Sequence, residues 1–435
     1  MIALQSRHSH LNLPPCSLDH KRLVEYIVQQ DNLLIIQDLD GVCMGLTRNP
    51  LDRQLDSHYI QATHQLDGHF FVLTNGEHGG QFGVNALVDR AIASDPSDKS
   101  TTAQPNRYLP GLAAGGVQWQ TCAGDISHPG VSAQELAFLA QVPEVFAAKL
   151  TQFFDDVPGL FGGKTLERVI QNTVLNNVAS PTVNLHEFYD YLRDCNRLET
   201  YRSLQQMMRD CCSQLLIKAE RQGLADSFFV HYSPNDGRNK DGRERLRLAR
   251  TGDSGTTDFQ FLLRGAVKET GVVVLLNQYY GQRTGHYPLG EGFNVRQAPR
   301  SLPALLELVQ DNFDGALMPV IIGIGDTITS RVEQDGSKRV TYRGGSDRLF
   351  LQLIQNIGRA YDRGNVVVYV DSSGGEIQNR KPVKIERRSE GDVVIEGPGD
   401  PADGDDPLTL DVVFPGGHGE YIETFLAIAH HRSNR

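Results

Sequence analysis

Two aspartates placed two positions apart are the clearest sign of chemistry in this 435-residue chain. Asp38 and Asp40 directly follow the short apolar run Leu33–Gln37, in the segment QDLDG. At a strand end, two such carboxylates project into one crevice, where one attacks phosphorus and the other transfers protons, with Mg²⁺ between them and a phosphate. A calcium-binding loop is excluded because its glycine and its bidentate glutamate are not at the required positions. The pair therefore predicts a phosphoryl-transfer site.

A hydroxyl group follows a second apolar run, Phe70–Leu73, at Thr74. This hydroxyl, together with the backbone amides of Asn75 and Gly76, suits a non-bridging phosphoryl oxygen. The same three residues also fit a simple turn in which the hydroxyl caps the chain. We expect Thr74 among the catalytic residues and Asn75 and Gly76 among the substrate-binding residues.

Further carboxylates provide candidates for the remaining metal ligands. Asp326 follows the apolar segment PVIIGIG and is expected to bind Mg²⁺, whereas a dinucleotide fingerprint is excluded because Ile328 replaces its third glycine. Asp347 would reach the same ion if residues 328–343 form an excursion. Asp253 lies in a similar acid-rich pattern, GDSGTTD, but no apolar strand precedes it. We therefore expect Asp253 at the substrate mouth rather than at the metal.

A cation is required where charge builds on a transferring phosphoryl group. Lys268 begins an apolar-periodic segment, KETGVVVLLNQYY, and is the first candidate. Arg300 opens another such segment, in APRSLPALLEL, and is the alternative. Either residue also fits a solvated position at the start of a helix.

Four short apolar runs must position these groups, and their branched and aromatic composition is typical of strands buried on both faces of a parallel sheet. The runs are Leu33–Gln37, Phe70–Leu73, 320–324 and Val366–Val370. Each is followed by polar or glycine residues. Because the carboxyl ends of parallel strands form the ligand crevice, the sequence predicts one site assembled from distant segments of an α/β fold.

The middle of the chain has a different pattern. Apolar residues recur at helical spacing over residues 132–222, and a charged, strand-like hairpin follows over 227–251. We therefore predict an α+β insert at residues 127–264, between core segments 1–126 and 265–435. Residues 396–407 form an acidic stretch rich in glycine and proline, which predicts a solvated loop.

Composition excludes several classes of function. The chain has 53 acidic against 42 basic side chains, a net charge of -11, which argues against binding to nucleic acid or to an anionic membrane surface. No run approaches the roughly 20 apolar residues of a spanning helix, and the polar N-terminus does not fit a signal peptide. The six cysteines have no zinc-site spacing, so we expect reduced thiols and a cytoplasmic protein.

The order of these motifs resembles that of the haloacid dehalogenase superfamily of phosphotransferases. The segments QDLDGVCMGL, VLTNGEHGG and IIGIGDTITS carry this resemblance, with a lysine between the second and the third. The insert between Thr74 and Lys268 is similar to a C2-type cap. Over its whole length the chain resembles the glucosylglycerol 3-phosphate phosphatases, also called salt-tolerance phosphatases, in segments that include YLPGLAAGGVQWQ and GDSGTTDFQFLLRG.

The resemblance implies a role for each matched residue. It implies Asp38 as the nucleophile and Asp40 as general acid and then base. It further implies Thr74 on a phosphoryl oxygen and Lys268 on the phosphoaspartate. Asp326 would bind Mg²⁺, to which Asp38 and Asp40 are also assigned.

The chain departs from the superfamily pattern after Asp326. Thr329 and Ser330 stand where a second acid usually follows, so Asp347 is the expected substitute.

The implied substrate is a small-molecule sugar phosphate, glucosylglycerol 3-phosphate, with Mg²⁺ as cofactor. A sucrose- or trehalose-phosphate phosphatase remains an alternative, because the core motifs recognise only phosphate and metal. A second alternative is a regulator of the same fold that binds a sugar phosphate without turnover. No pattern in the sequence indicates an oligomeric state.

Overall fold

A computed structural model describes most of the chain. The described residues are 11, 13–94, 106–157, 159–161, 163–239, 243–335, 338–377, 380–389 and 391–435. The strands are β1 (Leu33–Gln37), β2 (Phe70–Leu73), β3 (Gly111–Ala113), β4 (Gln118–Gln120), β5 (Ile126–Ser127), β6 (Val174–Leu175), β7 (Thr182–Asn184), β8 (Phe228–Ser233), β9 (Asn235–Arg238), β10 (Glu244–Leu246), β11 (Asp258–Leu263), β12 (Val320–Gly325), β13 (Thr329–Asp335), β14 (Lys338–Gly344), β15 (Val366–Val370), β16 (Lys384–Arg388), β17 (Gly391–Glu396) and β18 (Val412–Phe414). The helices are α1 (His20–Val28), α2 (Ser57–Gln65), α3 (Val84–Ala93), α4 (Ala133–Leu139), α5 (Val142–Asp155), α6 (Gly163–Thr173), α7 (His186–Asp194), α8 (Leu198–Arg221), α9 (Lys268–Thr284), α10 (Leu302–Asn312), α11 (Arg348–Ala360) and α12 (Gly417–Ser433).

An eight-stranded sheet forms the core, in the order β18-β15-β12-β1-β2-β3-β4-β5. The first six strands of this order are mutually parallel, and β4 and β5 are antiparallel additions at one edge. The four apolar runs predicted as central strands are the neighbours β15, β12, β1 and β2. This outcome confirms the expected parallel sheet.

Helices cover both faces of the core sheet, which explains why its strands are continuously apolar. Leu34 and Ile36 of β1 belong to the hydrophobic cluster that includes α9 and α11. The intervening residues Leu33 and Ile35 belong to the cluster that includes α2 and α12. Because side chains alternate along a strand, a strand covered on both faces carries apolar residues at every position.

A second, antiparallel sheet lies between the two halves of the core in sequence. Its strand order is β6-β7-β11-β8, and we call it the cap sheet. Helix α8 packs on β8 and β11 through buried residues at helical spacing, among them Tyr201, Leu204, Met208 and Leu215. The charged segment after β8 forms the hairpin β9–β10, in the region where the sequence predicts one.

The acidic segment 396–407 differs in part from its prediction. Asp403 accepts hydrogen bonds of 2.8 and 2.6 Å from Arg343 on β14, and Asp406 accepts bonds of 2.7 and 2.8 Å from Arg348 on α11. Much of the segment between 401 and 407 is exposed, as a solvated loop requires, but distant arginines give these two carboxylates partners within the fold. In the described part of the chain, no helix has the length and hydropathy to cross a membrane.

Candidate active site

The carboxyl ends of three adjacent parallel strands bring the predicted residues together. Asp38 follows β1, Thr74 follows β2, and Asp326 follows β12, and all three side chains are buried. Backbone hydrogen bonds continue the sheet into these positions: Asp38 N donates to Ile324 O at 3.0 Å, and Thr74 N donates to Leu112 O at 3.0 Å. Hydrogen bonds of the sheet therefore fix the backbone positions of Asp38 and Thr74.

Lys268 is the first residue of α9 and lies between two of the acids. Its Nζ lies 2.5 Å from Asp38 Oδ2 and 2.6 Å from Asp347 Oδ1. Burial acts to lower the pKa of Lys268, but the carboxylates of Asp347 and Asp38 raise it above its ordinary value. The lysine is therefore a fixed ammonium group between these two carboxylates.

Asp347 also organises the segment that carries Asp326. Its Oδ2 accepts hydrogen bonds of 2.9 Å from the backbone N–H groups of both Asp326 and Thr327. Burial acts to raise the pKa of Asp347, but Lys268 and these two N–H groups hold it below its usual value. The hairpin β13–β14 is the excursion that returns the chain to this position.

Asp38, Asp326 and Asp347 each place a carboxylate oxygen within 4.8 Å of the others. Burial is the main cause that raises the pKa of Asp38, and it raises that of Asp326 to about 6. Asp326 Oδ2 is buried and accepts no hydrogen bond from the described residues, although Arg380 Nε lies 3.8 Å away. A buried oxygen without a donor, among carboxylates that outnumber their cations, fits a hard divalent cation such as Mg²⁺.

Gly41 makes room for this arrangement. Its backbone has a φ of +81°, and a Cβ built there would lie 2.2 Å from Asp326 Oδ2. Any side chain at this position would therefore displace the Asp326 carboxylate. The glycine after the two aspartates has a steric role that the sequence pattern does not reveal.

Asp40 lies outside the cluster of three acids. Its two carboxylate oxygens each accept a hydrogen bond of 3.1 Å from Arg53 Nη1, and Arg53 also donates to the backbone oxygen of Phe82. Sequence reasoning missed Arg53, because it lies in a polar stretch, RNPLDRQLD, with no distinguishing pattern. The structure thus places the two aspartates of the motif against different cations.

One cavity of about 180 Å³ contains these groups and extends to the cap sheet. Asp38, Asp40, Thr74, Lys268 and Asp326 line it from the core. Apart from Leu175, the side chains that line it from the insert are polar: Asn177, Thr182, Asn184, His186, Ser233, Asp258 and Gln260. The cavity therefore has a charged half and a mostly neutral half.

Comparison with known proteins decides the family. A model of the glucosylglycerol-phosphate phosphatase (Salt_tol_Pase) family matches residues 32–429. A curated glucosylglycerol-phosphate phosphatase from Synechocystis sp. is 52% identical over 417 residues, which cover 96% of this chain and 97% of that protein. The chain belongs to the glucosylglycerol-phosphate phosphatase family.

Solved structures similar to this member of the glucosylglycerol-phosphate phosphatase family include two trehalose-6-phosphate phosphatases. The Aspergillus fumigatus protein has a TM-score of 0.39 at 11% identity, covering 96% of this chain and 100% of that one. The C-terminal domain of the C. albicans protein has a TM-score of 0.43 at 9% identity, covering 96% and 99%. These values are too low to assign a substrate. The sheet order itself confirms the predicted α/β class with a parallel sheet core.

Other residues predicted for the site have mixed outcomes in this glucosylglycerol-phosphate phosphatase family member. Asn75 and Gly76 line the cavity with Asp38. Asp253 does not: it pairs with Arg247 and lines a neighbouring cavity. Arg300 is exposed and lines none of the cavities described, so the structure favours Lys268 over it. Besides Arg53, sequence reasoning missed the polar side chains of the cap sheet other than Asp258, which ends the GDSGTTD pattern considered for the substrate mouth.

Proposed function

We propose that this protein is a phosphomonoesterase that converts glucosylglycerol 3-phosphate to glucosylglycerol and phosphate. The observation that carries the proposal is the 52% identity to a glucosylglycerol-phosphate phosphatase over 96% of the chain. A match of that extent includes the charged core half of the cavity and also the insert, where the glucosylglycerol part of the phosphate ester would be recognised. The reaction supplies a compatible solute and thus salt tolerance.

The reaction consists of two in-line displacements. Asp38 attacks phosphorus while Asp40 protonates the departing glycerol oxygen, which leaves a phosphoaspartate and free glucosylglycerol. Asp40 then removes a proton from water, and the resulting nucleophile hydrolyses the acyl phosphate. Asp40 is suited to this exchange because its carboxylate lies in the cavity on Arg53 and is not bound by the buried ammonium.

The other core residues position the phosphate and balance its charge. Lys268 holds Asp38 through the 2.5 Å contact and provides a positive charge beside the phosphoaspartate. Thr74 Oγ1 accepts a hydrogen bond of 3.2 Å from Gly76 N, the turn contact that also fits the sequence, and its own O–H would donate to a phosphoryl oxygen. Since phosphoryl transfer depends mainly on positioning and charge neutralisation, these contacts support the assignment.

Asp38 and Asp326 would hold Mg²⁺ in this mechanism. The ion would neutralise charge on the phosphate and orient it for in-line attack. Asp347, predicted as a further ligand, contacts Lys268 and accepts hydrogen bonds from the backbone N–H groups of Asp326 and Thr327, so we assign it a role in positioning the lysine and Asp326. Asp40, also predicted as a ligand, is assigned to proton transfer.

We further propose that residues 127–264 act as a cap over a core made of 1–126 and 265–435. The cap sheet and helices α4 to α8 lie within that insert. The expected partner is the sugar phosphate alone, in the cytoplasm, without nucleic acid or membrane.

The test is a comparison of kcat/KM for glucosylglycerol 3-phosphate, sucrose 6-phosphate, trehalose 6-phosphate, glycerol 3-phosphate and glucose 6-phosphate, by phosphate release with Mg²⁺. We expect glucosylglycerol 3-phosphate to exceed the others, because polar groups left unpaired by a wrong substrate can discriminate by roughly 10⁴. An equal or better value for any competitor would overturn the substrate choice. Failure to hydrolyse even p-nitrophenyl phosphate would favour the non-catalytic regulator.

A further inference from the structure

The cap sheet has two faces of opposite chemistry. Antiparallel pairing places Asn184, Asp258 and Ser233 in one row across β7, β11 and β8. Two residues along, the next row on the same face contains Thr182, Gln260 and His231. Since residues two apart on a strand share a face, six polar side chains lie side by side there.

The opposite face of the same strands is apolar. The intervening row contains Val183, Phe259 and Tyr232, all buried in the cluster that includes α5 and α8. A sheet of this kind usually presents its polar face to bulk solvent. Here five of the six polar residues instead line the cavity that contains Asp38 and Thr74. His231 lines an adjoining cavity, which shares Asn75 and Lys268 with the first.

Hydrogen bonding within this face is incomplete. Asn184 Nδ2 donates to Asp258 Oδ1 at 2.9 Å, which fixes the pair across the two strands. Gln260 Oε1, in contrast, is buried and has no hydrogen-bond partner in the part of the chain that the structure describes. His186 Nε2, in the same cavity, and His231 Nε2, in the adjoining cavity, also have no hydrogen-bond partner among the described residues. Buried polar atoms are rarely left unsatisfied, so partners from a ligand are expected in this space.

We propose that Thr182, Asn184, Ser233, Asp258 and Gln260, the polar face of the cap sheet, form the binding site for the glycosyl-glycerol part of the substrate. This inference rests on the proposed function and deepens it. Amide, hydroxyl and carboxylate groups together offer both donors and acceptors, which is what a ligand rich in hydroxyl groups requires. The site lies opposite the acids that react with phosphate, within the same cavity.

The decisive variant is Gln260→Ala, with Gln260→Glu as its conservative partner. For Gln260→Ala, kcat/KM on glucosylglycerol 3-phosphate should fall by roughly 10- to 100-fold, and by at least tenfold more than kcat/KM on p-nitrophenyl phosphate, which has no sugar. Gln260→Glu, which keeps an acceptor oxygen at this position, should lose less. Gln214→Ala, on the exposed side of α8, is the matched control and should leave both values unchanged.

Product inhibition gives a second measurement that tolerates a partly unfolded preparation. Glucosylglycerol should inhibit hydrolysis of p-nitrophenyl phosphate by the unmodified enzyme, and its Ki should rise at least tenfold in Gln260→Ala. Equal losses on both substrates together with an unchanged Ki would overturn this binding site while the proposed function stands. Absence of turnover of glucosylglycerol 3-phosphate by the unmodified enzyme would instead overturn the proposed function.

Discussion

The two halves of the active-site cavity are built on different electrostatic principles. The core half places buried charges in direct contact, as where Lys268 lies between Asp38 and Asp347. The cap half presents amides, hydroxyls and one carboxylate, and leaves acceptors such as Gln260 Oε1 without partners among the described residues. The difference fits two separate tasks. Charged groups suit the phosphate, whose bonds change in the reaction, and neutral polar groups suit substrate hydroxyls, whose bonds do not change.

Glu77 is one of the residues that connect the two halves. Glu77, three residues after Thr74, accepts hydrogen bonds from the backbone N–H groups of Val178, Ala179 and Ser180 at 2.9, 2.6 and 2.8 Å. These residues lie between β6 and β7 of the cap sheet. The loop that follows Thr74 is thereby attached to the sheet that carries the polar face.

The largest effect should come from Asp38, the proposed nucleophile in the core half. Asp38→Asn is nearly isosteric, but an amide does not attack phosphorus, so activity should fall by about 10⁴ or more. Phosphate release measures the loss, and circular dichroism checks the fold. More than a tenth of the original activity in this variant would rule out Asp38 as nucleophile.

Metal removal tests the same half. EDTA should inactivate the enzyme and Mg²⁺ should restore it, with Asp326→Asn raising the Mg²⁺ concentration for half-maximal activity by roughly tenfold or more. Asp253→Asn is the control, since Asp253 pairs with Arg247 outside this cavity. A metal defect in the control alone would move the metal site to the other Gly-Asp motif.

The charge contacts of the core half predict a stability effect that is not additive. Lys268→Met leaves the carboxylates of Asp38 and Asp347 buried without their ammonium, so the free energy of unfolding should fall by about 3–5 kcal/mol. Adding Asp347→Asn removes one of the unpaired charges and should recover part of the stability, but not the activity. Urea unfolding of the two single variants and the double variant measures this coupling. Strictly additive losses would mean that the two side chains act independently.

The junction between the halves should give a smaller loss. Glu77→Gln retains one acceptor oxygen for three backbone N–H donors and two side-chain donors, so the free energy of unfolding should fall by about 2 kcal/mol. If the glutamate holds the cap sheet over the core, KM for the sugar phosphate should rise more than kcat falls. An unchanged KM together with reduced stability would give Glu77 a purely structural role.

The core half could be predicted from the sequence, whereas the cap half could not. Asp38, Thr74 and Asp326 each follow a continuous apolar run, and parallel pairing alone brings such positions together. Asp258 and Gln260 lie in TTDFQFLL, an ordinary alternating strand pattern that does not show whether its polar face meets solvent or a ligand. Arg53 and Glu77 gain their roles from partners distant in space, and no local pattern indicates such partners.

The smallest expected effect concerns Asp258, the carboxylate that lines the cavity from the cap sheet. Burial raises the pKa of Asp258 to about 6, whereas an unfolded aspartate titrates near 3.9. Because the folded-state pKa is the higher one, Asp258 contributes stability below pH 3.9 that is lost as pH rises through about 6. Asp258→Asn removes this titration. The free energy of unfolding of the variant minus that of the unmodified protein should therefore be larger at pH 7 than at pH 4.

Activity should respond in the opposite direction, because the ionised carboxylate is the better hydroxyl acceptor. The ratio of kcat/KM for glucosylglycerol 3-phosphate, unmodified enzyme over Asp258→Asn, should rise a few-fold, roughly two- to fivefold, between pH 5 and pH 7. Taking this ratio cancels the titration of the substrate phosphate, which both enzymes share. A ratio independent of pH would show that the Asp258 charge does not contact the sugar. A rising ratio, together with the expected stability difference between pH 4 and pH 7, would mean that this acid lowers stability at neutral pH while it serves substrate recognition.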